Sequence, residues 1–297
     1  MTLVYINMES LFQFAALISA LTWSTSGVIL KKISFNRYFS FPFYESLISL
    51  FIMGIIITAL QEWPSIFNER YSDVVMFGVA ALLSCIGTVF YVISLKNNPI
   101  GVTFTLCAVS TILISLTLDF TINNVNYSTT VFFGAIIVLI SIFVINFQSF
   151  KEFENKSILG ILGGVFAGSF WGIAVFFNDK SLVESSILTG AVIRAIVSVI
   201  ALGILSEILK QRLEKTRDTK EVSKVLIAGS LITFSSLLWF LSLNTITGSL
   251  TTIFGNTAPV FAIILGFFFL NEKIHRSEIL GILLAFIGII IIIISKS

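Results

Sequence analysis

The stretch ALTWSTSGVILKK, residues 20–32, has a counterpart 148 residues further along the chain, GSFWGIAVFFNDK at residues 168–180. In this register Trp23 falls on Trp171 and Lys32 falls on Lys180. The same shift matches three further pairs: Ser94 with Ser242, Leu95 with Leu243, and Thr103 with Thr251. Matches between apolar residues are common in such a sequence, but matched tryptophans, lysines and a Ser-Leu pair indicate an internal repeat.

The composition indicates a membrane protein. Hydrophobic residues make up 56% of the 297 residues and charged residues 11%, whereas soluble domains carry about 25% charged residues. The mean hydropathy is +1.01. The net charge is only +2, which argues against a nucleic-acid-binding surface. Recurrent apolar runs predict an all-α membrane protein, because helices satisfy their own backbone hydrogen bonds in lipid.

The apolar runs predict ten transmembrane helices with short connections. They lie at residues 12–30, 41–60, 74–95, 101–120, 129–147, 158–178, 186–208, 223–243, 248–270 and 278–295. The repeat divides them into two five-helix halves, residues 1–150 and 151–297. Because five is odd, the second half enters the membrane from the opposite side, which predicts an inverted repeat. Inverted repeats are typical of secondary transporters.

Two other segments carry structural predictions. The polar stretch 209–224 is expected to be a solvated helical extension between spans 7 and 8, with a partner-binding segment as the alternative. In span 6, Gly160, Gly164, Gly168 and Gly172 recur every four residues. This small-residue stripe predicts a close contact with another helix.

Trp23 and Trp171 lie deep in spans 1 and 6, whereas tryptophan usually gathers at the membrane interface. Each indole N–H therefore needs a partner inside the protein. The two residues either line a central cavity or act as packing anchors, and Tyr91 and Trp239 join them in the predicted binding site.

Charged residues inside a membrane are costly and often mark transport pathways. Arg194 lies near the middle of span 7, and Glu45 lies near the start of span 2, one position from Arg194 in the repeat register. Two functional arrangements are open, an ion pair between them or a substrate carboxylate held by Arg194. Alternatively, Glu45 lies at the interface and Arg194 snorkels towards it.

Pro259 interrupts span 9, and Asn256 precedes it by three residues. Proline removes a backbone hydrogen bond and frees a carbonyl, so it is predicted as a hinge. Broken helices often line transporter sites. Asn256 and Asn244 are therefore predicted to face the cavity, or else to hold helices together.

The C-terminal stretch FLSLNTITGSLTTIFGNTAPVFAIILGFFFLNEKIHRSEILGILLAFIGIIIIII, residues 240–294, resembles the end of an EamA-type repeat of the drug/metabolite transporter superfamily. The matching features are the hydroxyl-rich opening of span 9, Pro259, the NEKI turn with Glu272, and a glycine-rich last helix. The N-terminal half is similar but lacks the proline, and Asn124 stands where Glu272 would be. The resemblance covers essentially the whole chain and implies a ten-helix carrier of small metabolites.

The resulting hypothesis is a secondary transporter that moves a small polar or amphipathic, amino-acid-like metabolite by alternating access. The alternatives are a proton-coupled drug or amine exporter and a non-transporting receptor or scaffold. No catalytic or metal-binding constellation is recognised, so no enzyme, cofactor or metal is expected. The expected partners are the lipid bilayer and a small-molecule substrate, with a coupling ion left open. The chain is expected in the plasma membrane as a monomer or homodimer.

The charges predict an orientation. Connections after odd-numbered spans hold 14 of the 18 Lys and Arg residues, which places both termini outside the cytosol. The resemblance implies cytosolic termini instead.

Overall fold

The computed structural model describes residues 8–98, 100–124, 127–145, 158–215, 217–246, 248–270 and 276–294, and these form helices and connections with no strand. The helices are α1 Met8–Leu30, α2 Ser40–Leu60, α3 Trp63–Phe67, α4 Tyr71–Asn97, α5 Ile100–Thr121, α6 Thr129–Ile145, α7 Ile158–Leu182, α8 Ile187–Ile208, α9 Thr219–Leu243, α10 Gly248–Gly255, α11 Ala258–Leu270 and α12 Arg276–Ile294. The all-helical prediction is confirmed for this part of the chain. The boundary at residues 150 and 151 and the Glu272 turn lie outside it.

Seven helices within the described ranges are long and apolar enough to cross a membrane. They are α2, α4, α5, α7, α8, α9 and the stretch Leu250–Phe269, which joins most of α10 and α11. Three shorter apolar stretches accompany them, Phe14–Leu30, Thr129–Val144 and Ile279–Ile292. Large apolar side chains such as Phe51 and Phe268 are 70% exposed, as expected for a surface in contact with lipid rather than water.

The helices pair in a regular pattern around the centre of the molecule. α1 packs against α9 and against the broken pair α10–α11, while α7 packs against α4 and α5. α2 lies against α8 and α9, and α4 also lies against α8. α6 and α12 pack mainly against each other and also contact α11, and α6 contacts α5 as well.

Small residues allow the closest of these contacts. A Cβ atom added at Gly168 of α7 would lie 2.3 Å from the carbonyl oxygen of Cys107 in α5. A Cβ at Gly163 would lie 2.9 Å from the carbonyl oxygen of Phe90 in α4. Backbones therefore approach within contact distance, and the close approach predicted from the glycine stripe is confirmed.

The connection between α8 and α9 differs from the prediction. α8 ends at Ile208, the described residues of 209–218 are not helical, and the helix resumes at Thr219, where the side chain of Asp218 caps it. The non-helical segment folds back onto the connection 31–39: the backbone N–H groups of Asn36 and Arg37 donate to the Glu214 carboxylate over 2.9 and 3.1 Å. These tertiary hydrogen bonds compete successfully with local helix formation.

Candidate functional site

A cavity of about 160 Å³ lies between α1, α2, α4, α5, α7, α8, α9 and α10. Seven of the eight predicted binding residues line it: Trp23, Glu45, Tyr91, Trp171, Arg194, Trp239 and Asn256. The eighth, Asn244, follows the last residue of α9, is exposed and does not line the cavity. Residues separated by more than 200 positions in the chain thus meet around one central space.

The rings of Trp23, Tyr91 and Trp171 from α1, α4 and α7 form one wall of the cavity. Phe104 of α5 packs against Trp23 and Tyr91 without lining the cavity. The Trp23 ring centroid lies 4.6 Å from that of Phe104, 5.7 Å from Tyr91 and 5.5 Å from Trp171, the last pair edge to face. Tyr91 lies 5.5 Å from Trp171. Tilted and edge-to-face pairs at these distances stabilise the wall beyond simple burial. Phe104 was not predicted, because nothing in the sequence distinguishes it from the other 29 phenylalanines.

The two tryptophans differ in their hydrogen bonding. The Trp171 N–H donates to the backbone carbonyl of Ser84 over 3.2 Å. The Trp23 N–H has no such partner among the described residues, although Trp23 lines the cavity. The hydroxyl of Tyr91 is also buried without a hydrogen-bond partner among the described residues. Two polar groups of this wall are therefore left without a protein partner.

Arg194 and Glu45 form an ion pair at the cavity wall, with 3.8 Å between Nη2 and Oε1. The other terminal nitrogen, Nη1, donates to the hydroxyl of Ser236. The Glu45 side chain is only 6% exposed, while that of Arg194 is 25% exposed. Each charge offsets the desolvation cost of the other. Because Arg194 keeps part of its surface free, it also remains accessible from the cavity.

The break in span 9 lines the same cavity as the ion pair. α10 ends at Gly255 and α11 begins at Ala258, because Pro259 supplies no N–H to continue the helix. Asn256 lies in the break, is 4% exposed, and donates its amide to the carbonyl of Thr252 over 2.8 Å. The hydroxyl of Ser24 in α1 donates to the carbonyl of Ala258 over 2.8 Å, so the break is tied to α1.

Trp239 packs its ring on the end of α10. A Cβ atom at Gly255 would lie 2.1 Å from Cζ3 of Trp239, so only glycine fits beneath the ring. Trp239 itself is half-buried. The indole therefore covers the broken helix on one side and lines the cavity on the other.

The cavity lies between two ends of the molecule, which differ in charge. The basic end carries the connections 31–39 and 209–218, with seven Lys and Arg against two acidic residues. The acidic end carries the connections 61–70 and 183–186, with three glutamates and one arginine. Tyr91 and Phe104 lie towards the basic end and are 2% and 0% exposed.

Towards the acidic end the lining includes both half-buried and buried residues. Asn178 and Trp239, which lie near the ends of α7 and α9, are half-buried. Phe240 and Val175 lie near the same helix ends and are buried.

Each end is held together by carboxylates that accept backbone and hydroxyl hydrogen bonds. At the basic end Glu221 accepts from the N–H and hydroxyl of Ser34 over 3.0 and 3.2 Å, in addition to the Glu214 bonds. At the acidic end Glu69 accepts from the N–H of Ser186 over 3.1 Å and the hydroxyl of Thr189 over 3.0 Å.

Arg70 reinforces the acidic end. It donates to Asp73 over 2.9 Å and pairs with Glu184, and these acidic partners raise its pKa, Asp73 through its hydrogen bond most of all. The Asp73 carboxylate also accepts from the hydroxyl of Ser185 over 3.1 Å. Similar contacts thus join matching pairs of connections at the two ends.

Comparisons with known proteins identify the class of the molecule. Residues 158–294 match the EamA-like transporter family. The chain is 23% identical over 279 residues to an uncharacterized transporter of Archaeoglobus fulgidus, covering 93% of this chain and 96% of the relative. An uncharacterized protein of Methanocaldococcus jannaschii is 29% identical over 143 residues, which are 48% of this chain and 99% of that protein.

A solved crystal structure shares the fold. It has a TM-score of 0.77 and 16% sequence identity, and the match covers 97% of this chain and 98% of that one. Together with the apolar helices, these findings define an integral membrane transporter. The match of residues 158–294 to the EamA-like transporter family and the transporter-named relative confirm the resemblance to the drug/metabolite transporter superfamily.

Proposed function

We propose that the protein is a secondary transporter of the cell membrane that carries a small polar or amphipathic, amino-acid-like metabolite by alternating access. The observation that carries this proposal is the central cavity, which is lined by both the Arg194–Glu45 ion pair and an aromatic wall. Such a site offers one charge of each sign together with apolar surface. A zwitterion with an apolar side chain matches all three features.

The proposed architecture has ten membrane helices in two inverted halves, residues 1–150 and 151–297, with the three shorter apolar stretches also crossing the membrane. The packing supports it, because the 148-residue shift exchanges α1 with α7 and α9 with α4. The contact of α1 with α9 then becomes the contact of α7 with α4, and both are extensive. An inverted pair of halves allows two conformations of similar energy that open to opposite sides.

Two further observations support the division into halves. The hydroxyls of Ser94 and Thr103 are 3.1 Å apart, and those of Ser242 and Thr251, the matching residues, are 3.4 Å apart. In addition, the relative from Methanocaldococcus jannaschii corresponds over 99% of its length to 48% of this chain. A unit of half the present length therefore exists as a chain of its own.

The ion pair is the proposed binding point for a zwitterion. At 3.8 Å the Arg194–Glu45 contact is longer than a direct charge-assisted hydrogen bond, which spans about 2.7–2.9 Å. A substrate carboxylate would bind the guanidinium with two parallel hydrogen bonds, and a substrate ammonium would bind Glu45. Substrate binding thus replaces the Arg194–Glu45 ion pair by two ion pairs with the substrate. The apolar part of the substrate lies against Trp23 and Trp171.

Transport in proteoliposomes tests this function. We expect the purified chain to exchange radiolabelled neutral amino acids, and Arg194→Gln to lower the initial rate about tenfold or more, because Glu45 is left unpaired and the carboxylate loses its partner. Arg194→Lys should retain partial activity, since an ammonium holds a carboxylate without the bidentate geometry. Arg212→Gln, which removes a charge from the exposed connection, is the matched control and should transport normally.

Full exchange by a well-folded Arg194→Gln variant would contradict the proposed site. If the wild-type protein exchanges cationic amines but no zwitterion, the substrate class is wrong. If it exchanges no solute under any gradient, the scaffold alternative takes its place.

A further inference from the structure

A second groove lies outside the central cavity, between α2 and α9 at the basic end. Its volume is about 440 Å³, and it shares no lining residue with the central cavity. The residues that matter for its chemistry are Tyr44, Leu47, Val222, Val225, Leu226 and Lys215. All but Lys215 present mainly hydrocarbon or an aromatic ring.

The groove is on the outer surface of the helix bundle. Leu226 is 50% exposed and Leu47 and Val222 are each 38% exposed, so this part of α2 and α9 has no protein cover among the described residues. The single hydroxyl in the lining, that of Tyr44, is already bonded to the carbonyl of Glu214 over 2.8 Å. The groove is therefore an apolar channel that faces the hydrocarbon edge of the membrane.

Lys215 supplies a positive charge at one end of this channel. It is exposed and forms no ion pair or hydrogen bond with the described residues. The neighbouring carboxylates are already engaged: Glu214 accepts from backbone N–H groups, and Glu221 accepts from Ser34 and Lys224. The segment 209–224 has six basic residues against three acidic ones, so the positive charge here is not compensated locally.

The equivalent place at the acidic end is filled and uncharged. In the 148-residue register Phe77 corresponds to Val225, and Phe67 corresponds to Lys215. The Phe77 ring packs on α8, where a Cβ at Gly190 would lie 2.7 Å from its Cε1 atom. The groove and its charge are thus particular to one end and are not a general consequence of the fold.

We propose that this groove binds one anionic phospholipid, with an acyl chain along α2 and α9 and the phosphate at Lys215. Basic pockets beside membrane helices bind anionic headgroups, and the positive-inside rule places this end in the cytosolic leaflet, which carries such lipids. The site is independent of the substrate site, because the two share no residue.

Native mass spectrometry of the full chain in detergent tests the proposal, with phosphatidylglycerol and phosphatidylcholine of identical acyl chains as probes. We expect wild type to retain one phosphatidylglycerol in preference to phosphatidylcholine. Lys215→Gln should weaken phosphatidylglycerol binding about fivefold, the effect of one basic residue near an anionic lipid surface. Lys220→Gln, an equal loss of charge at an exposed position outside the groove, should bind as wild type does.

Val225→Phe tests the acyl-chain part, because it places in the groove the residue found at the acidic end. We expect it to abolish retention of the lipid. Glycerol 3-phosphate, which has the charge without the chains, should not compete. Equal binding by Lys215→Gln and Lys220→Gln, lipid retention by a folded Val225→Phe variant, or competition by glycerol 3-phosphate would each overturn the proposal.

Discussion

The two ends of the central cavity use matching positions of the two halves but residues of different size. At the basic end Gly27 faces Phe104, and a Cβ at Gly27 would lie 2.6 Å from Cζ of that ring. In the 148-residue register the acidic end has Val175 in place of Gly27 and Thr252 in place of Phe104. The basic end thus combines glycine with a large aromatic ring, whereas the acidic end has two side chains of similar size.

The difference explains why the two ends are packed differently. Phe104 is fully buried because Gly27 leaves room for its ring, and Tyr91 and Trp23 pack around it. At the acidic end no ring occupies the position of Phe104, and Trp239 is half-buried. The proposed alternating access therefore predicts that the residue sizes at these four positions influence which end of the cavity opens.

The largest effects are expected from Phe104→Thr and Gly27→Val. In Gly27→Val the new side chain would clash with Phe104 and with the Tyr91 hydroxyl, 3.0 Å from the added Cβ. Overpacking of this kind costs about 1–3 kcal/mol of the free energy of unfolding. Phe104→Thr should cost about 3 kcal/mol by leaving a void. Chemical denaturation in detergent measures both.

The double variant Gly27→Val with Phe104→Thr gives the basic end the residues of the acidic end. We expect its loss of unfolding free energy to be smaller than the sum of the two single losses by at least about 1 kcal/mol, as for contacting residues in a double-mutant cycle. Strict additivity would show that Gly27 and Phe104 do not form one packing unit.

A smaller effect separates the two matched tryptophans. Trp171→Phe removes the hydrogen bond to Ser84, whereas Trp23→Phe breaks no hydrogen bond with the described residues. Trp171→Phe should therefore lower the free energy of unfolding by about 1 kcal/mol more than Trp23→Phe. Thermal unfolding of both variants in the same detergent checks the order. Equal losses would mean that only ring packing matters at these positions.

The smallest effect concerns the matched serines. The hydroxyl of Ser94 donates to Thr103 and also accepts from the side-chain amide of Asn98 over 3.3 Å. Among the described residues the hydroxyl of Ser242 has only Thr251 as a partner. At about 0.6 kcal/mol for each hydrogen bond inside a membrane protein, Ser94→Ala should cost roughly twice as much as Ser242→Ala. The reverse order in denaturation experiments would contradict this account of the two contacts.

Much of the fold was predictable from the sequence because its signals are physical and local. Apolar runs located the described helices other than α3 within about four residues, and Pro259 located the break between α10 and α11. The repeat register placed Trp23 with Trp171, and charge in an apolar run marked Arg194. The segment 209–218 was mispredicted because its conformation depends on hydrogen bonds with residues 36 and 37.

The missing parts of the site have the same explanation. Phe104 has no chemical feature that distinguishes it in the sequence. Its importance follows from the space that Gly27 leaves 77 positions earlier. Asn244 was grouped with Asn256 by residue type alone, but it follows the end of α9 and is exposed. Residue type and depth predict which side chains are unusual, while packing across the chain decides which of them meet.

The proposed alternating access requires the two ends to open reciprocally, and double electron–electron resonance distance measurements between spin labels test this most directly. In a background with the buried Cys85 and Cys107 replaced by alanine, one spin-label pair joins Asn36→Cys with Arg212→Cys at the basic end. A second joins Phe67→Cys with Val183→Cys at the acidic end. We expect Gly27→Val, which forces Phe104 out of its site, to lengthen the first distance and shorten the second. A lengthened basic-end distance with an unchanged or longer acidic-end distance would contradict alternating access.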